Sequence, residues 1–169
     1  MNKVEDLKAK ILEAQHTSDI AALYVLEAQA QEHFDEDTLQ AFYANILDMA
    51  LENLTNTLES HRKMDLNEVQ DFATTRALYE YAMEHYSAGA IKDASALFEV
   101  LSGMTNDDKF SWSLKLHWLA SSENITLDDF MTNMADIIVT QANGTFYISG
   151  FTKAAQKLLD NAQKAESKG

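Results

Sequence analysis

Apolar residues recur along most of this chain at the three- and four-residue intervals of an α-helix, with polar residues between them. The clearest stripe is Leu39, Phe42, Tyr43, Ile46, Leu47, Ala50, Leu51, Leu54 and Leu58, opposite a polar side of Asp48, Glu52, Asn56 and Glu59. It predicts a long helix over 38–62, ending at Arg62 and Lys63, whose cations suit the negative pole of a helix. Ahead of it, Val4, Leu7, Ile11 and Leu12 predict an amphipathic helix over 2–16. Ile20, Leu23, Tyr24 and Leu26 predict a second helix reaching Phe34, with Thr17 or Ser18 as its cap. Asp35 or Asp37 can cap the long helix, and Asp65 with Glu68 caps the segment after it. Leu66, Val69 and Phe72 then lead into a helix reaching residue 86, either continuous or broken near Thr74 and Thr75.

Beyond the turn TNDD, Phe110, Trp112, Leu114, Leu116, Trp118 and Leu119 predict a helix over 108–121 with apolar residues on more than one side. Thr126 and Asp129 form a capping box for a helix over 126–142, striped by Leu127, Phe130, Met134, Ile137 and Ile138. Phe151, Ala154, Ala155, Leu158, Leu159 and Ala162 predict a last helix over 150–166. The run GTFYIS at 144–149 is the best candidate for a strand, and the tail KAESKG reads as disordered.

The centre of the chain is residues 76–104. Leu78, Tyr81, Ala82 and His85 make one helical face, Gly89 stops that helix, and Ile91, Ala94, Leu97, Phe98 and Leu101 make the face of the next. Helices this short do not bury their stripes alone, so the two are expected to pack as an αα-hairpin with Ala82 and Ala94 at the closest approach.

This stretch resembles the tetratricopeptide repeat, and within it the first repeat of the translocator chaperones of bacterial type III secretion. The residues that carry the resemblance are Tyr86, Gly89, Ile91, Ala94, Phe98 and Leu101, preceded by Leu78, Tyr79, Tyr81 and Ala82. It is confined mainly to 76–104. At a period of about 34 residues Trp112 takes the place of Leu78, whereas Leu116, Asp128 and Thr132 depart from Ala82, Ala94 and Phe98. Residues 109–142 are thus at best a decayed second repeat, and the first 64 residues lie outside the resemblance. The resemblance implies a cytoplasmic chaperone that holds an apolar segment of a secreted protein before export. It places Tyr79, Met83 and Tyr86 on a concave, partner-binding face, to which Trp112 and His117 are added as candidates. The expected fold is all-α: a helical bundle or short solenoid of roughly seven or eight helices around a tetratricopeptide-like hairpin. Its regions are 1–64 and 65–169, either separate or one continuous domain.

Composition agrees with helices: the chain has no proline and 5 glycines. With no cysteine, disulfides and thiolate metal sites are excluded. No apolar run approaches the length of a membrane span, and the charged N-terminus lacks the apolar core of a secretory signal. The net charge is −14, and only residues 145–169 are basic, with 4 Lys against 2 acids. Such a body repels nucleic acid and anionic membrane and is compatible with a basic or amphipathic protein partner. A homodimer is left open.

Glu13 and His16 have the spacing of a di-metal helix pair, but no second such pair exists, so no metal and no cofactor is expected. His85, on an apolar face, reads as a hydrogen-bonded core histidine. No phosphate-binding glycine loop, zinc-binding His-Glu-x-x-His or nucleophile elbow occurs. Binding is therefore expected, not catalysis. Two other readings remain: a structural or regulatory helical module with its aromatics inside, and an enzyme of a kind without linear motifs.

Overall fold

Most helices begin where a short polar side chain takes up amides that the first turn leaves unpaired. In the computed structural model, which describes residues 2–168, Asn2 opens α1 (Lys3–His16) and Asp19 opens α2 (Ile20–Val25). After Leu26 comes α3 (Glu27–His33), and Asp35 opens α4 (Glu36–Glu59) by accepting from the Thr38 amide at 2.8 Å. That hydroxyl and amide of Thr38 hold the Asp35 carboxyl below its ordinary pKa. The Glu68 carboxylate accepts from the Asp71 amide at 2.8 Å at the start of α5 (Val69–Ser87). Next come α6 (Ile91–Met104) and α7 (Asp108–Ser122), the latter capped by Asp107. Thr126 caps the single turn α8 (Leu127–Asp129), which runs into a π-helical turn (Phe130–Met134). Asp136 caps α9 (Ile137–Asn143), and α10 (Lys153–Lys168) closes the chain. The protein is all-α, and the described residues contain no strand. Among them no helix is long and apolar enough to cross a membrane.

Several expectations need correction. The helix expected up to Phe34 is divided at Leu26, and Asp19, not Thr17 or Ser18, caps it. The helix expected over 126–142 is broken at Ala135, whose backbone is extended and bridges Phe151. These breaks give ten α-helices among the described residues instead of seven or eight. GTFYIS forms no strand; Thr145 and Ser149 bond to each other instead, at 2.8 Å. The α10 helix continues through residues expected to be disordered, whose last member, Gly169, lies outside the described residues. α5 is continuous through Thr74 and Thr75.

The chain divides into two units, residues 1–78 and 79–169, so the boundary falls within α5 and the position 64/65 lies inside the first unit. In the first unit Leu7, Ile11 and Ala14 of α1, Ile20 and Leu23 of α2, and Phe42, Ile46 and Ala50 of α4 are buried with Ala73, Ala77 and Leu78 of α5. Polar bonds fix how these helices meet. The Gln70 side chain accepts from the Ala21 amide at 3.2 Å and donates to Asp19 at 2.7 Å, which ties the start of α2 to α5. Asn53 of α4 donates to Thr74 of α5 at 2.7 Å. Buried Asp71 accepts from the Arg62 guanidinium at 3.2 Å and the Asp65 amide at 3.0 Å.

In the second unit Gly89 ends α5 at φ +84. The Gly89 amide donates to Tyr86 O at 3.2 Å and the Ala90 amide to His85 O at 2.9 Å, the two bonds of a Schellman turn. The expected hairpin follows: Ala82 and Ala94 are wholly buried, and the Tyr86 and Phe98 rings meet at 5.6 Å. α7 lies along α6, and α10 packs on α7 through Leu116, Ala155 and Leu159.

Candidate functional site

The residues expected to bind a partner do not share a surface. Tyr79 is 4% exposed, Tyr86 2% and His117 0%. Tyr79 Oη accepts from the Ile148 amide at 3.1 Å and donates to His117 Nε2 at 2.8 Å. His117 Nδ1–H then donates to the Ser113 carbonyl at 2.7 Å. This relay leaves one consistent arrangement of protons, a neutral imidazole with its hydrogen on Nδ1. Phe98, Phe130 and Phe151 surround the ring at centroid distances of 5.1, 5.0 and 6.0 Å. Burial lowers the His117 pKa to about 4 against the pull of the Ser113 carbonyl, and burial likewise raises that of Tyr79.

Tyr86 donates to the Ile125 carbonyl, and its pKa is pushed up to about 12, by burial first and then by the Asp129 charge. The concave face expected of Tyr79, Met83 and Tyr86 is therefore not open here. His117 of α7 and the segment 146–148 cover Tyr79; Phe98, Phe130 and the Ile125 carbonyl lie against Tyr86; and Met83 is half-buried. Of the five only Trp112 is exposed, and its ring lies against Phe151 at 5.5 Å. His85 is half-buried edge-on to Tyr81 at 4.5 Å, which corrects its assignment to the core. Glu13 and His16 sit exposed on α1, and no three His, Cys, Asp or Glu side chains gather as a metal would need among the described residues.

A different surface does converge. In the first unit a groove of about 330 Å³ lies between α2 and the start of α5. One wall is Ala21, Tyr24 and Val25, spaced i, i+3, i+4 on α2. The other is Val69, Phe72, Ala73 and Arg76, spaced i, i+3, i+4, i+7 on α5, with Leu66 and Asn67 at the end. Val25 is 77% exposed, Val69 64% and Phe72 42%. Single exposed apolar residues are ordinary on a surface; here three of them line one groove. Arg76 lies over the Tyr24 ring at 4.0 Å and pairs with Glu27 at 3.2 Å. Glu27 also accepts from the Tyr43 hydroxyl at 2.7 Å. The wall that carries the guanidinium is thus held in place from three helices.

Sequence reasoning passed over this groove because Val69 and Phe72 extend the same helix that supplies the core. The signal was present in the doubled apolar face of α5. Residues 77–79 are all buried, while Val69, Phe72 and Ala73 form a separate run on the side toward α2. Compared with protein families, with curated proteins and with solved structures, the chain matches none.

Proposed function

We propose that this chain is a protein-binding helical module whose groove between α2 and α5 holds an apolar segment of another protein. The observation that carries the reading is the convergence of Val25, Val69 and Phe72 on one preformed groove with helical walls. An amphipathic helix lays its apolar face into such a groove by placing side chains at i, i+3 and i+4. Tyr24 and Phe72 supply area with few rotamers to freeze, which suits anchors of binding. A narrower reading, a cytoplasmic chaperone holding an apolar segment of a type III translocator before export, rests on the resemblance of residues 76–104. Binding, not catalysis, is common to both.

The test is titration of a fluorescein-labelled amphipathic helical peptide with an uncharged Gln and Leu face, followed by anisotropy at high salt. Binding is expected for the parent and is weakened at least about tenfold by Phe72→Ser or Val69→Ser, as truncation of an anchor does. Leu58→Ser, an exposed site outside the groove, is expected to leave it unchanged. No binding, or equal binding by all variants, overturns the reading.

A further inference from the structure

The first unit has a second hollow, of about 300 Å³, whose lining is largely polar. Glu52 of α4 lines it with Glu68 and Asp71 at the start of α5, and the one cation in that lining is Arg62, so the four carry a net −2. Asp71 is 5% exposed, and its bonds from the Arg62 guanidinium and the Asp65 amide both end on Oδ2. Its Oδ1 receives no donor among the described residues. Neither does Glu68 Oε1, because the Asp71 amide goes to Oε2. Glu52 is exposed and has no hydrogen-bond or ion-pair partner among the described residues. An almost buried carboxylate oxygen without a protein donor takes one from whatever fills the hollow. Among the described residues no three carboxylates gather as a metal would need, so a point charge cannot serve all three of these. A ligand with two separated charges can, and the lining also holds Ile20 and Met49, whose apolar area suits methylene groups. Asn53 gives its amide hydrogens to Thr74, which leaves its carbonyl oxygen as a further acceptor. We infer that this hollow binds an aliphatic diamine. One ammonium donates to Asp71 Oδ1 and Glu68 Oε1, and the other to Glu52 and the Asn53 oxygen. Arg62 keeps Oδ2 of Asp71, and the dication balances the remaining −2.

Calorimetric titration of the full chain with putrescine at about 0.15 M salt tests this, because attraction to the acidic surface in general is screened there. One putrescine per chain is expected, bound at least about tenfold tighter than butylamine, which offers a similar chain with a single ammonium. Glu52→Gln is expected to weaken putrescine at least about tenfold while circular dichroism stays that of the parent, since this side chain is exposed and holds no other element. Glu59→Gln makes the same charge change on the same helix outside the hollow and is expected to leave binding unchanged. Asp71→Asn would also disturb the contacts with Arg62 and Asp65, so the Glu52 and Glu59 pair carries the test. Equal affinities of Glu52→Gln and Glu59→Gln overturn the inference, as does equal affinity for butylamine. Displacement of putrescine by magnesium at the same concentration of charge overturns it too, because the amine is then held by the acidic surface as a whole. Absence of binding removes it outright. None of these outcomes touches the groove between α2 and α5, whose uncharged peptide is titrated separately.

Discussion

A histidine with no exposed surface must give both ring nitrogens to partners or lose stability, and His117 gives them to Tyr79 and Ser113. The arrangement works only while the ring is neutral. With the folded pKa at about 4 and an ordinary value of 6.5, the unfolded chain takes up a proton at His117 first as pH falls. Stability is therefore lost as pH drops below 6.5, and the loss is complete below about 4. It amounts to about 3 kcal/mol across that window, at 1.4 kcal/mol per pKa unit. Urea unfolding from pH 7.5 to 4.5 should show a steeper decline for the parent than for His117→Gln, which cannot titrate. Parallel declines would mean that His117 is protonated in the folded protein. Thr57 shows the same logic in miniature: it is buried where Leu58 is 53% exposed, because its hydroxyl returns to Asn53 O at 2.8 Å and leaves nothing unpaired. The apolar stripe of α4 suggested the opposite pair.

Among the elements, the ends decide more than the middles. α5 stops at a glycine, but α1, α4 and α7 stop the same way at Ser18, His61 and Asn124, with φ of 55, 55 and 61. Each has the paired bonds of a Schellman turn, such as Ile125 N–H to Ala120 O at 3.1 Å and Asn124 N–H to Ser121 O at 3.0 Å. A search for glycine alone therefore finds only some of the helix ends. Gly150 has a different reason. Its carbonyl accepts from the Asp136 amide at 2.8 Å and its amide donates to Thr140 at 2.8 Å, which draws the segment before α10 against the start of α9. A Cβ there would lie 2.6 Å from the Asp136 carbonyl oxygen and 2.6 Å from Val139 Cβ. Neither atom is the free end of a side chain. Gly150→Ala should therefore cost about 1–3 kcal/mol by overpacking, read as a lower urea midpoint at unchanged slope. A midpoint equal to the parent's would show that the two segments separate freely.

For the whole molecule the governing quantity is charge. Asp and Glu outnumber Lys and Arg by 27 to 13, so at least 14 carboxylates lack a cationic partner even if every cation is paired. Among the described residues Lys10 with Asp6 and Lys115 with Glu166 pair at the surface, where an ion pair adds little. Self-repulsion is the larger effect, and salt relieves it. The melting temperature at pH 7 is expected to rise by several degrees between about 10 mM and 500 mM sodium chloride. A fall over that range would mean that the internal pairs, Arg76 with Glu27 and Arg62 with Asp71, outweigh the repulsion.

The sequence by itself determined the all-α class, the central hairpin with its Gly89 turn, and the caps at Asp35 and Thr126. Each of these depends on contacts within one or two helical turns, which periodicity and capping chemistry report directly. Tertiary structure alone decided which face of α5 is covered. Tyr79 and Tyr86 share a face with Met83 by spacing. The partners that bury the tyrosines, His117, Ile148 and Ile125, come from segments far along the chain. The same holds for the break at Ala135, which follows from its bridge to Phe151 and not from any local signal. It holds also for the groove, whose walls Val25 and Phe72 come from helices far apart in the chain, with Gln70 and Arg76 tying α5 to Asp19 and Glu27. A helical period says that a face exists; only packing at long range says whether protein or solvent lies against it.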